Sequence, residues 1–252
     1  MKKRKAFYLA LLLAFWTLPN FASSPMLLIA VAADFTETLN ELALPFQQET
    51  GIAIVPSNGD TGSLTQQILH GAPYDVFLSA DASHPQDLEK AGKIVPGSRF
   101  TYATGRLVLY APAEAISHSG MADLKAGKWS QLAMANPDLA PYGVAAQQIL
   151  KEISPPKTTA YVLGQNIGQT FAYVKSGAVP AGFVALSQVI DLVHHNSPAV
   201  WLIPQNLYAP IAQQAVILST TPHLAEAQQF MTFLKSKIAK TIMTENGYSN
   251  IH

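Results

Sequence analysis

Four short runs hold the residues that could carry chemistry: Ala33-Asp34, Asn58-Gly59-Asp60-Thr61-Gly62, Asn136-Pro137 through Tyr142-Gly143, and Asn166-Ile167-Gly168. Each joins an apolar stretch to a predicted helix. The first turn of a helix leaves backbone N–H groups unpaired, and the helix dipole favours negative charge there. Several such turns aimed at one point would cradle an anion without any lysine or arginine. Capping explains the same residues one at a time. Asp34 with Glu37 three residues on fits a capping box, and Thr61 and Asn166 fit N-caps.

Other chemistry finds less support. The glycine-rich run lacks the Gly-Lys-Ser/Thr ending of a P-loop. Asp60-Thr61-Gly62 matches the tripeptide of aspartic peptidases, but that mechanism needs two carboxylates sharing a proton, and no second tripeptide is present. His194 and His195 are adjacent on a predicted helix and so do not face one metal ion; a solvated helix end accounts for them. Neither Gly-x-Ser-x-Gly nor His-Glu-x-x-His occurs. Trp129, Trp201 and the tyrosines read as packing residues.

The elements that must position the four runs are legible as alternating strands and helices. Met26–Ala33 is a continuous apolar run, as expected of a strand buried on both faces of a parallel sheet. A helix is predicted over Phe35–Gln48, with Pro45 expected to kink or shorten it. A strand follows at Ile52–Pro56, a helix at Ser63–His70 and a strand at Tyr74–Ser79, which together read as βαβ units. Further strands are predicted at Arg106–Ala111, Gln131–Ala135, Ala181–Ala185, Trp201–Ile203 and Ile211–Leu218. Helices are predicted at Ala145–Ile153 and Gly168–Ser176, and a closing helical region at Leu224–Thr244.

Composition narrows the function classes. The 252 residues carry 16 basic and 16 acidic side chains, 49% hydrophobic residues and no cysteine. A neutral chain without a basic stripe is a poor nucleic-acid binder. The absence of cysteine excludes a disulfide scaffold, a thiolate metal site and a cysteine nucleophile. Lys2 to Lys5 are all basic, and an apolar run from Ala6 to Leu18 and small residues at Ala22, Ser23 and Ser24 follow. That is the pattern of a secretory signal over residues 1–24, its apolar run too short to span a bilayer. Its removal takes away four basic and no acidic residues, leaving 12 against 16 and a net charge of −4. An acidic, cysteine-free chain suits the periplasm of a Gram-negative cell, with no membrane insertion once the signal is gone.

Longer motifs then point to a family. Ala30-Val-Ala-Ala-Asp-Phe-Thr36, Gly71-Ala-Pro-Tyr-Asp-Val-Phe-Leu-Ser-Ala-Asp81, Pro96-Gly-Ser-Arg-Phe-Thr-Tyr102, Asn136-Pro137 with Ala140-Pro-Tyr-Gly143, and Gly182-Phe-Val-Ala-Leu186 resemble the periplasmic molybdate-binding proteins of ABC importers. The resemblance runs from Ile29 to the C-terminus. It implies a two-lobed α/β fold of the type II periplasmic binding class, each lobe a mixed, mostly parallel sheet flanked by helices. Lobe I would be 26–103 plus 207–252, and lobe II 104–206.

It also implies a ligand and a partner. Molybdate or tungstate would be held between the lobes by neutral donors and delivered to the permease of an ABC transporter. The matching motifs place Ala33 and Asp34 in the first ligand loop and Thr61 in the second. Tyr142 and Ile167 would contribute through their backbone N–H groups. The receptor would be a monomer without cofactor, without a directly ligated metal and without catalytic residues.

The sequence departs from the family at Asp34, where serine or asparagine is usual, at Asp60, and at Ala185. An ionised Asp34 facing a dianion would cost roughly 8 kcal/mol, twice the value for two unit charges 4 Å apart at an effective dielectric of 20. The favoured resolution is that Asp34 caps its helix and offers only its N–H. A protonated Asp34 that donates is the second. The third is another ligand: a different oxyanion, a cation bound by Asp34 and Asp60, or an enzyme's substrate with those two as acid and base.

Overall fold

Apolar runs become strands here because helices cover both faces of each sheet. The computed structural model describes residues 25–249, so the signal read at 1–24 lies outside the described residues. Strands β1 to β5 are Met26–Ala32, Ala53–Gly59, Val76–Ser79, Phe100–Gly105 and Leu107–Tyr110. Strands β6 to β10 are Gln131–Ala135, Ala160–Gly164, Ala181–Ala185, Val200–Leu202 and Ile211–Ile217. Helices α1 to α5 are Thr36–Thr50, Thr61–Leu69, Ser83–Lys90, Gly120–Lys125 and Pro141–Ile153. Helices α6 to α9 are Ile167–Lys175, Ile190–His194, Leu224–Phe233 and Lys237–Glu245.

The strands form two five-stranded sheets, ordered β2-β1-β3-β10-β4 and β7-β6-β8-β5-β9. In the first, β2, β1 and β3 are parallel, while β10 runs antiparallel to both β3 and β4. In the second, β7, β6 and β8 are parallel and β5 is antiparallel to β8 and β9. Each sheet is therefore mixed, with four strands in one direction and one against them. The chain passes between the sheets twice, from β4 to β5 and from β9 to β10. Ligand clefts of open α/β sheets lie beyond the carboxyl ends of the parallel strands, where the order reverses. Here the ends of β1, β2 and β3 meet those of β6 and β7.

One apolar cluster, with Leu27, Phe46 and Phe230, covers one face of the first sheet, and a second, with Leu64 and Phe77, covers the other. The cluster under the second sheet takes in Ala32, Ala80 and Ile211 from the first, so the halves are in apolar contact.

Several boundaries differ from the sequence reading. Helix α1 runs through Pro45 and ends at Gly51, which takes the left-handed conformation at φ 75°. Helix α5 begins at Pro141, a full turn before the predicted Ala145, with proline in the first turn, where its missing N–H costs nothing. The closing helical region is broken into α8 and α9 by a turn ending at Ser236, whose side chain caps α9.

Candidate functional site

The four runs converge. Ala33, Asp34, Thr61, Tyr142 and Ile167 all line one small cavity between the sheets, far smaller than the usual pocket of an organic ligand. Its described lining includes two carboxylates, Asp34 and Asp60, and no lysine, arginine or histidine.

At the second run the aspartate, not the threonine, is the N-cap. Asp60 Oδ1 accepts the Ser63 N–H at 2.6 Å, and Thr61 is the first residue of α2. This removes the capping reading of Thr61 and leaves its side chain free of that role. The buried Thr61 hydroxyl oxygen accepts the Ala80 N–H at 3.3 Å. A hydroxyl that accepts from behind keeps its own proton for an acceptor in front. The next N–H, that of Gly62, crosses to the other half and donates to Leu139 O at 3.1 Å.

The two junctions of the second sheet are built alike. Asn166 caps α6 as expected, its Oδ1 accepting the Gln169 N–H at 2.8 Å, so Ile167 presents a first-turn N–H. Tyr142 is the second residue of α5. The turn before it lies tight against β6, because a Cβ on Gly143 would sit 2.3 Å from Ala135 O. Only glycine lets that helix start approach so closely.

The first run departs from expectation. Ala33, Asp34 and Phe35 form a single 3-10 turn between β1 and α1, and no side chain caps either helix. The capping box of Asp34 and Glu37 is not formed. Instead the Asp34 side chain is buried, and its Oδ2 accepts from three neutral donors. These are Tyr142 Oη at 3.0 Å, Gln213 Nε2, and Tyr248 Oη, whose one proton is shared between Oδ2 at 3.2 Å and the Asp34 carbonyl at 2.9 Å. Gln213 is itself held by Tyr102, whose hydroxyl donates to its Oε1 at 2.8 Å. The Asp34 carbonyl accepts from Ser187 Oγ at 3.0 Å. The turn therefore ties the first half to Tyr142 and Ser187 of the second.

This network contains no cation. Burial pushes the Asp34 carboxyl up to about 6, against the pull of the bonds from Gln213, Tyr142 and Tyr248 and of its own backbone N–H. Burial and the nearby Asp34 raise the Tyr102, Tyr142 and Tyr248 hydroxyls well above their usual range, so all three are neutral donors. Asp34 Oδ1 is buried without a hydrogen-bond partner.

Tyr248, Gln213 and Ala80 were missed in the sequence. Gln213-Gln214 interrupts an otherwise apolar strand, which was a signal. The β10–β4 register shifts at that pair, leaving Tyr102 as the extra residue opposite it. Tyr248 and Ala80 carried no comparable local sign. His195 Nδ1 lies 2.7 Å from the Asp191 carbonyl at the end of α7, away from the cavity.

A family described as bacterial extracellular solute-binding proteins matches residues 27–249. The molybdate-binding protein ModA of Azotobacter vinelandii is 40% identical over 222 residues, covering 87% of this chain and 88% of that one. ModA of Rhodobacter capsulatus is 40% identical over 229 residues, covering 90% and 89%. The solved structure of the Azotobacter vinelandii periplasmic molybdate-binding protein superposes with a TM-score of 0.84 at 38% identity, covering 90% of this chain and 100% of that one.

Proposed function

The chain belongs to the family of bacterial extracellular solute-binding proteins, and from that premise we propose that it captures molybdate or tungstate in the periplasm and delivers it to an ABC importer. The observation that carries the reading is the convergence of helix-start donors and the Thr61 hydroxyl on one small cavity with no cation in its described lining. The naming of its 40% identical relatives as molybdate-binding supports it.

In this reading the N–H groups of Ala33, Asp34, Tyr142 and Ile167 and the hydroxyl of Thr61 point at the oxygens of a tetrahedral dianion. A buried donor left unpaired costs about 1–3 kcal/mol. Donors spaced for long metal–oxygen bonds thus disfavour sulfate, whose oxygens lie closer in. The lobes are 26–103 plus 207–252 and 104–206; the two sheets support that division, with β4 overrunning it by Thr104 and Gly105. Residues 1–24 are an export signal removed from the mature chain. The receptor works as a monomer, catalyses no reaction, needs no cofactor and has the permease rather than nucleic acid as its partner.

Thermal unfolding with molybdate, tungstate, sulfate, phosphate and divalent cations tests this. A ligand bound only by the native state stabilises it by about 2.7 kcal/mol at roughly 100 times its Kd. Molybdate and tungstate should each raise the melting temperature, and sulfate and phosphate should not. Stabilisation by a cation alone overturns the reading.

A further inference from the structure

The cavity wall has one feature that an all-donor anion site does not need: a buried carboxyl with an oxygen left unpartnered. Asp34 lines the cavity, 3% exposed. Its Oδ2 faces Tyr142, Tyr248 and Gln213, whereas its Oδ1 is buried with no partner in the protein. An unpaired buried carboxylate oxygen beside a dianion is unfavourable twice over, through lost hydrogen bonding and through repulsion. A single proton removes both costs. With Oδ2 already supplied with donors, the position left for that proton is Oδ1.

We propose that the closed site holds one proton between Asp34 Oδ1 and the bound oxyanion, so that a fully ionised oxyanion enters together with a proton from solvent. The inference rests on the receptor reading above and deepens it. The balance is simple: carboxylate, proton and dianion combine into a neutral carboxyl whose O–H donates to a ligand oxygen. No bond of the oxyanion breaks. The uncharged wall then adds a donor where the sequence suggested a repulsive charge. A monohydrogen oxyanion could bring the same proton itself, and would need none from solvent.

The surroundings leave Asp34 as the group that takes the proton. From α5, β4 and the C-terminal turn it meets Tyr142, Tyr102 and Tyr248, all held neutral by burial. From β10 it meets the uncharged Gln213, and near the second sheet the uncharged Ser187. Across the cavity Asp60 is occupied by the Ser63 N–H. Glu37, Glu41, Asp191 and Lys175 border an adjoining mouth between the sheets that Asp34 also lines, three acidic groups against one basic, and none of them lines the small cavity. Burial already raises Asp34 to about 6 in the ligand-free chain, and a dianion can only raise it further.

Calorimetric titration with molybdate near pH 7.5, in buffers of different ionisation enthalpy, counts the protons taken up. The wild-type chain should take up close to one per oxyanion. Its affinity should fall about tenfold per pH unit above roughly pH 6.5. Asp34→Asn should take up none and show a flat profile. Should that variant fail to fold, infrared difference spectra of the wild type should gain a protonated-carboxyl C=O band on adding molybdate. Binding without proton uptake overturns this inference and leaves the receptor reading standing. Uptake that persists in folded Asp34→Asn also overturns it. No heat and no melting shift with either molybdate or tungstate overturns the receptor reading itself, and this inference with it.

Discussion

Asp34 and Asp60 stand at the carboxyl ends of the neighbouring strands β1 and β2, whose register pairs Ala32 with Gly59. Both are buried and both line the same cavity. Asp60 finds its donor three residues on, in the Ser63 N–H at the start of α2. Asp34 finds its donors 108, 179 and 214 residues away, in Tyr142, Gln213 and Tyr248. Asp60 thus satisfies a donor of its own helix's first turn. A carboxyl among tyrosines has lost its water and gained only neutral donors. The same residue type on adjacent strands thus serves as a local cap in one place and as a long-range tie between halves in the other.

The sharpest way to break this contrast is to remove each side chain. Asp34→Ala strands the Tyr142 hydroxyl and takes one of two acceptors from the Gln213 amide, which keeps Tyr142 Oη at 3.3 Å. At about pH 5, where the wild-type carboxyl is largely neutral, urea unfolding should show a loss of roughly 2–3 kcal/mol, the upper part of the range for an orphaned buried donor. A loss below about 1 kcal/mol, the scale of a helix cap, would put Asp34 in the same class as Asp60.

Acidity gives the second test. The folded carboxyl of Asp34 is raised from 3.8 to about 6, so between those values the ligand-free native state binds more protons than the unfolded chain. Its contribution is therefore full below about pH 4 and is lost as pH rises through about 6. The shift corresponds to a decline on the order of 2–3 kcal/mol. Comparing the pH dependence of stability in the wild type and in Asp34→Asn isolates it. Equal slopes in the two would show that the Asp34 carboxyl titrates alike in the folded and unfolded chain.

The same pair explains what the sequence could reveal. Strands β6 and β8 coincide with their apolar runs, and the caps of α2 and α6 are written within three residues of the helix start. The five cavity residues came from the family motifs, whereas the local signatures at the same helix starts read as ordinary caps. The Asp34 network was not legible, because its partners come from β4, β10, α5 and the C-terminal turn, brought together only by the order of the sheet. Local pattern therefore favoured a cap at Asp34, with Glu37 at the right spacing, where long-range packing imposed a different structure. The one clue was Gln213, a polar residue inside an apolar strand.

Thr61, next to Asp60, sharpens the contrast from the donor side. Because Asp60 supplies the cap, Thr61→Ala should leave α2 in place and remove the hydroxyl of a cavity-lining residue. Molybdate binding should weaken by about 1.5–3 kcal/mol, the range for hydrogen bonds to charged groups. Thr61→Ser should retain most of the affinity. Calorimetry measures both, and unchanged affinity in Thr61→Ala would mean that the hydroxyl serves only the Ala80 N–H.

The smallest effect belongs to Asp60. Asp60→Ala should cost about 1 kcal/mol of stability, because the Ser63 N–H loses its acceptor. Asp60→Asn should cost almost nothing, since asparagine caps about as well as aspartate. The asparagine variant also removes a charge from the cavity wall without moving the helix start. If that charge is already answered by the first turn of α2, molybdate affinity should shift by no more than a few-fold, and its pH dependence should match the wild type. The comparison then rests on one asymmetry: asparagine at 34 flattens the pH profile of binding and asparagine at 60 leaves it sloped. A flat profile in Asp60→Asn with a sloped one in Asp34→Asn would exchange the two roles, making Asp60 the carboxyl that meets the ligand and Asp34 only a structural tie.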